Sequence, residues 1–241
     1  MQNFFGIRFS SLCLLGFLSM IATVTASPSN ASEVIHKFEF GGEPGTPART
    51  ALTGRNFVLK QDAGNEHKIK LYHTEDALHL QVNEPAFGII LHEQDIPEAK
   101  HVRLHWGVST YPEGASYEHG IDNEAIMVYV FFGHEKQSSG SMFVPDSPYF
   151  IGFFLCPKDS DKVEQPYAGH YYKKTGRYIC VDHPEEGVAA VSEVVLADEF
   201  KKSFGLDSVP PVSGISIEFD TTASKNDGKA ASFLQRIEFL D

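Results

Sequence analysis

The chain has 241 residues, 42% of them hydrophobic, and carries 32 acidic against 20 basic side chains for a net charge of −12. Such an acidic balance argues against nucleic acid and anionic membrane surfaces as partners. The length suits one domain once an amino-terminal leader is set aside.

That leader spans residues 1–26. One positive charge, Arg8, precedes the apolar run Leu12–Ala22, and small or aliphatic residues, Val24 and Ala26, stand before Ser27. A charged start, a short apolar centre and a small-residue exit are what a cleavable signal peptide requires. The apolar centre is about 11 residues, too short for a bilayer span of roughly 20. Cys13 lies inside the apolar run rather than at its end, which disfavours a lipoprotein. The expected location is periplasmic or secreted, and no later segment is apolar enough to span a membrane. Cleavage removes Arg8 and Cys13, moves the net charge from −12 to −13, and leaves Cys156 and Cys180 as the only cysteines. In an oxidising compartment they are expected to pair, closing a loop of about 25 residues worth roughly 3 kcal/mol on the chain-entropy model. Two free or metal-binding thiols are the alternative, though two cysteines without a C-x-x-C spacing make a poor zinc signal.

Residues 27–33 form a polar, flexible leader, and 34–241 read as a single domain. Short apolar or alternating runs recur at Val34–Phe40, Asn56–Lys60, His67–Tyr72, Ala77–Val82, Phe87–Leu91, Lys100–Val108, Ala125–Phe132, Pro148–Leu155, Arg177–Asp182, Val188–Leu196, Val212–Phe219 and Phe233–Phe239. Gly, Pro, Asn and Asp separate them. Many short strands at this spacing predict a mostly β protein, an antiparallel β-sandwich of jelly-roll type. One short helix is predicted at 197–204, where Phe200 and Phe204 lie four apart and Gly205 follows.

Two strands carry more information. In Lys100–Val108, alternation places Val102, Leu104, Trp106 and Val108 on one face and His101, Arg103 and His105 on the other. The second face is either a basic binding surface or the solvated side of an antiparallel sheet. In Ala125–Phe132, Ile126, Val128, Val130 and Phe132 make one apolar face, and Met127, Tyr129 and Phe131 make a second. A strand apolar on both faces is covered on both sides or lines a ligand cleft.

Trp106, Pro112-Glu113-Gly114-Ala115, Asp122-Asn123 and Val128–Phe132 follow one another in a recognisable order. Further on come Val194–Asp198, Phe204-Gly205, Pro210-Pro211, Gly214–Ile217, Asp220-Thr221-Thr222 and Ile237-Glu238-Phe239. Over roughly Val102–Phe239 the chain resembles the bacterial domain-of-unknown-function family 3047. The resemblance implies an exported β-sandwich similar in outline to carbohydrate-binding and galactose-binding-like domains. The family tends to have two acids where Asp122-Asn123 stand and an arginine where Met127 stands, so this chain departs from the pattern by one charge of each sign.

No motif fixes a reaction. Ser139-Gly140-Ser141 lacks the G-x-S-x-G elbow, and there is no H-E-x-x-H, phosphate loop or dinucleotide fingerprint. A glycosidase needs two carboxylates converging about 5 to 10 Å apart. Glu113, Glu118, Asp122, Glu124 and Asp220 are available. Asp220, Asn226 and Asp227 offer three oxygens to calcium or serve as ordinary turn residues. Met127 with His119 would suit non-covalent haem, against the commoner role of a strand Met as core filler. Tyrosines are plentiful near the loops, at Tyr111, Tyr117, Tyr149, Tyr167, Tyr171 and Tyr172, and such rings stack on sugar faces. The reading is therefore a non-catalytic envelope module binding a saccharide or glycan, with no required cofactor. Its ligand-binding candidates are Tyr111, Tyr117, His119, Asp122, Asn123, Met127, Tyr129 and Asp220. A hydrolase or lyase acting on an extracellular polysaccharide is the first alternative, and a structural or partner-binding protein the second.

Overall fold

The computed structural model describes residues 32–241 apart from 44, 140, 141, 143, 170, 225 and 226. The expected signal peptide, 1–26, and all but the last two residues of the 27–33 leader lie outside the described residues. In chain order come β1 (Val34–Glu39), α1 (Ala48–Gly54), β2 (Val58–Gln61), β3 (Ile69–His73), β4 (Leu78–Val82) and β5 (Phe87–Ile96). Next are β6 (His101–Thr110), β7 (Glu124–Gln137), β8 (Ser147–Leu155), β9 (Pro166–Ala168) and β10 (Gly176–Asp182). The chain ends with β11 (Ala189–Val195), α2 (Leu196–Phe204), β12 (Val212–Asp220) and β13 (Ala230–Leu240).

The strands form two sheets, as the alternating pattern predicts. One runs β11-β6-β13-β4-β3, and β1 shares an edge of β13 with β4. The other runs β2-β5-β12-β7-β8-β10-β9. Pairing is antiparallel throughout except between β8 and β10, which run parallel. That exception is possible because the connection through β9 carries the chain back before β10 begins.

The core between the sheets is the sum of the two predicted apolar faces. Val102, Leu104, Trp106 and Val108 of β6 are all 0% exposed, as are Ile126, Val128 and Val130 of β7. Ile215 and Ile217 of β12 and Leu234, Ile237 and Phe239 of β13 complete it. Burial of each such side chain is worth roughly 1.5–3 kcal/mol. The Trp106 indole N–H is not stranded there, because it donates to Ser192 Oγ at 3.1 Å.

The second face of β6 resolves into ion pairs. Arg103 lies in register with Glu193 of β11 on one side and Glu238 of β13 on the other, and bonds both, at 2.8 and 3.2 Å. His101 and His105 reach the same two acids at 3.3 Å. This face is the solvated side of the sheet with its charges matched across strands.

The helix predicted at 197–204 is α2, which starts one residue earlier. Phe200 packs on Phe132 and Tyr149, and Gly205 closes the helix in the left-handed conformation, φ 71°. A second helix, α1, was not anticipated. Its only apolar signal is Ala48 and Leu52, both buried, set among polar residues. The Arg49 side chain fixes it from outside by donating to the carbonyls of Ala63 and Ile69.

Candidate functional site

The outer face of the seven-stranded sheet is the second face of β7. Period two turns Met127, Tyr129 and Phe131 away from the core, and each falls in register with outward residues of its neighbours. Ser216 of β12, Tyr129, Gly152 of β8 and Tyr178 of β10 form one row; Gly214, Phe131, Phe150 and Gly176 form the next. Glu218, Met127, Phe154 and Cys180 form the row on the other side. A cleft of about 950 Å³ lies over these rows. It is walled by Tyr117 and Asp122 from the loop before β7, Val144–Asp146 from the loop before β8, and Tyr171 and Tyr172 from the loop before β10.

The floor owes its shape to Gly152. A Cβ there would collide with the Tyr129 ring and with Met127 Sδ, so only glycine lets Tyr129 lie across β8. The Tyr129 ring meets Phe150 edge-on at 5.1 Å and lies 6.0 Å from Tyr178. Tyr117 folds over the adjoining row, 4.6 Å from Phe154 and 5.3 Å from Tyr178. Thus the Met127 end of this face is covered by protein, Tyr129 is largely buried at the cleft floor, and the Phe131 end is open.

Two glutamates sit beneath the rings. Glu218 follows from alternation along β12. Glu124 does not, since strict alternation from Ile126 would point it into the core. The register between β12 and β7 shifts between Glu218 and Asp220, and this bulge turns Glu124 to the cleft side. Tyr117 Oη donates to Glu124 Oε2 at 2.6 Å, and Tyr129 Oη donates to Glu218 Oε1. Glu124 Oε1 is buried and receives no donor. Burial, reinforced by the charge of Asp220, pushes Glu218 up to about 8, against the pull of the Tyr129 hydrogen bond. Burial also holds Glu124 well above the carboxylate range, with the Glu218 and Asp220 charges adding to it. Burial and the same acids push Tyr117, Tyr129 and Tyr178 upward, so all three remain donors. Asp220 is raised by burial and partly held down by the Thr222 amide and hydroxyl, which bond its Oδ1 at 2.8 and 2.6 Å.

Of the eight predicted ligand residues, Tyr117, Asp122, Tyr129 and Asp220 line the cleft. Met127 is 0% exposed below the floor, and Asn123 is buried with its Oδ1 on the Ala223 amide. Tyr111 stands apart, its hydroxyl on the Pro184 carbonyl. His119 is exposed and bonds Ser116 Oγ through Nδ1, so it shares no pocket with Met127. Of the proposed calcium ligands, Asn226 lies outside the described residues, and Asp220 is engaged in its turn. Tyr171 and Tyr172, named for sugar stacking, line the cleft too, and Ser216, Glu218, Phe150 and Tyr178 also line it and were not among the candidates. The outward polar row Ser216, Glu218, Asp220 on an otherwise apolar strand was the available signal.

Cys156 and Cys180 are bonded to each other, with Cα atoms 5.7 Å apart. Together with His183 they are the grouping of metal-ligand type found among the described residues, and their sulfurs are spent on the disulfide. The bridge ties the end of β8 to β10 directly under the Phe154 row.

No family model matches this chain, and no curated protein matches it. Solved structures with a similar chain path include the metal-free carbohydrate recognition domain of Emp46p, at 10% identity and TM-score 0.43 over 77% of this chain and 88% of that one. A family 12 xyloglucanase from Bacillus licheniformis matches at 10% identity and TM-score 0.43, over 88% of this chain and 99% of that one. Winged bean acidic lectin, complexed with methyl-α-D-galactose, matches at 10% identity and TM-score 0.40, over 88% and 100%.

Proposed function

We propose that this chain is an exported, non-catalytic saccharide-binding module and that its ligand lies in the cleft over β12, β7 and β8. The observation that carries this reading is the floor itself. Tyr129, Phe131, Phe150 and Tyr178 give apolar ring surface, while Ser216 and Glu218 give polar groups in the adjoining positions. A pyranose has the matching character, with C–H faces for rings and hydroxyls around its edge. Ser216 Oγ is buried and has no partner in the protein, which leaves a hydroxyl at the floor for a ligand. Export follows from the leader read at 1–26 and agrees with the disulfide. Among the described residues no helix is long and apolar enough to cross a membrane. Membership of family 3047 is part of this proposal and rests on the residues named above. Affinity electrophoresis against a panel of polysaccharides tests the reading. At least one polymer is expected to retard the wild type and not Phe131→Ala; free migration through every polymer rejects it.

A hydrolase is the second reading, favoured by the convergence of Glu124 and Glu218. Retaining and inverting glycosidases separate their carboxyls by about 5 and about 6.5–9.5 Å respectively. Here both carboxyls are buried, each takes a tyrosine hydroxyl, and burial raises both above the ordinary carboxylate range. Release of new reducing ends from a bound polymer, abolished in Glu218→Gln, would establish this reading in place of the first.

A further inference from the structure

Among the described residues, three acids at one end of the cleft, Glu124, Glu218 and Asp220, have no basic partner, whereas the acids of the opposite sheet, Glu193 and Glu238, are matched by Arg103 and histidines. Lys60, His134 and Lys136 line other parts of the cleft, and none lies within ion-pair distance of these three acids; Lys60 shares the row of Glu218 but stands beyond Ile89, two strands or about 10 Å away. Buried carboxyls without a cation are costly, and proteins normally supply one. Here the hydroxyls of Tyr117 and Tyr129 bond Glu124 and Glu218 instead, and the rings of Tyr129, Tyr172 and Tyr178 line the cleft beside them. Carboxyls next to aromatic rings form a receptor for an ammonium group, which gains from both. One buried atom in the cleft lining, Ser216 Oγ, has no hydrogen-bond partner, and Glu124 Oε1 is likewise unsatisfied.

We propose that the sugar unit seated over Glu218 and Ser216 carries a protonated primary amine, so that the ligand is a glycan containing free amino sugars. This rests on the saccharide reading above and narrows it. The ammonium supplies the charge that the fold withholds. On binding, the Glu218 carboxyl gives up its proton to solvent and faces the cation as a carboxylate. The net charge of −12 draws such a polymer toward the protein.

The test compares three β-1,4-linked hexamers that differ only at C2: glucosamine, N-acetylglucosamine and glucose. Isothermal titration of the full chain should show the glucosamine hexamer binding at least about tenfold tighter, the scale of one charge-assisted contact. Titration at about pH 5.5, where the amines are already protonated and Glu218 is still neutral, in buffers of different ionisation enthalpy should show net proton release with that hexamer alone. Glu218→Gln should remove the preference, and Glu98→Gln, the same substitution at an exposed loop, should not. Because proton release is read on the wild type, the proposal stays testable if Glu218→Gln fails to fold. Equal or tighter binding of either uncharged hexamer overturns the amine and leaves the saccharide reading standing. Equal weakening by Glu98→Gln, or binding without proton release, overturns it as diffuse charge attraction. If none of the three binds, the amine falls, and the polysaccharide panel decides whether the saccharide reading falls with it.

Discussion

Glu218 is a cleft side chain whose chemistry departs far from its ordinary behaviour. Its carboxyl is raised by burial to about 8, so the folded state favours the protonated form. The resulting stabilisation is complete below the unfolded value near 4.5 and is lost as pH rises through about 8. Thermal unfolding of the wild type should therefore show a falling Tm between about pH 5 and about pH 9, and Glu218→Gln should flatten that slope. A wild-type Tm independent of pH over this window would show that the carboxyl pair is not held protonated. The residue was legible in the sequence only as an outward position on β12. Nothing along the chain announces that Glu124 would meet it, because the bulge that re-aims Glu124 is a property of two paired strands.

At the level of elements, the parallel β8–β10 pair holds half of the cleft floor, and the disulfide fastens it. Cys156 and Cys180 are 24 positions apart, and their bridge restricts the unfolded chain by roughly 3 kcal/mol on the entropy model. The double variant Cys156→Ala/Cys180→Ala should lose about 2–4 kcal/mol in denaturant unfolding. It should also bind more weakly, because Phe154 and Tyr178 rest on the bridged segment. Unchanged stability would mean that hydrogen bonding alone fixes β10 against β8. The pairing of these cysteines was legible from compartment and count. That they join adjacent parallel strands was not, since a sandwich read from alternation defaults to antiparallel neighbours. Helix α1 escaped for a related reason. Seven residues with two buried positions carry no period to read, and tertiary contacts through Arg49 hold it in place.

Across the whole molecule, the seven-stranded sheet divides stability from recognition between its two faces. Ile217 points into the sandwich and its neighbours Ser216 and Glu218 into the cleft. Ile217→Ala should cost about 2–5 kcal/mol of stability and leave the affinity of the folded protein unchanged. A parallel loss of affinity, measured well below the variant's Tm, would show that the two faces are coupled. The twofold apolar pattern of Ala125–Phe132 already signalled this division, and the structure shows that the second face is covered at Met127 and open at Phe131.

The sequence by itself determined the two-sheet architecture, the inward faces of β6 and β7, the helix at α2 and the cysteine pair. Each of these follows from side-chain period, turn residues or composition, which are local and additive along the chain. Tertiary structure alone decided which polar residues converge. Tyr117 reaches Glu124 from a loop, and Glu218 meets it from a strand more than ninety residues later. Tyr111 and His119, equally plausible on the page, were drawn to other partners. Convergence depends on register, bulges and loop closure, and these are fixed only when separate strands pair.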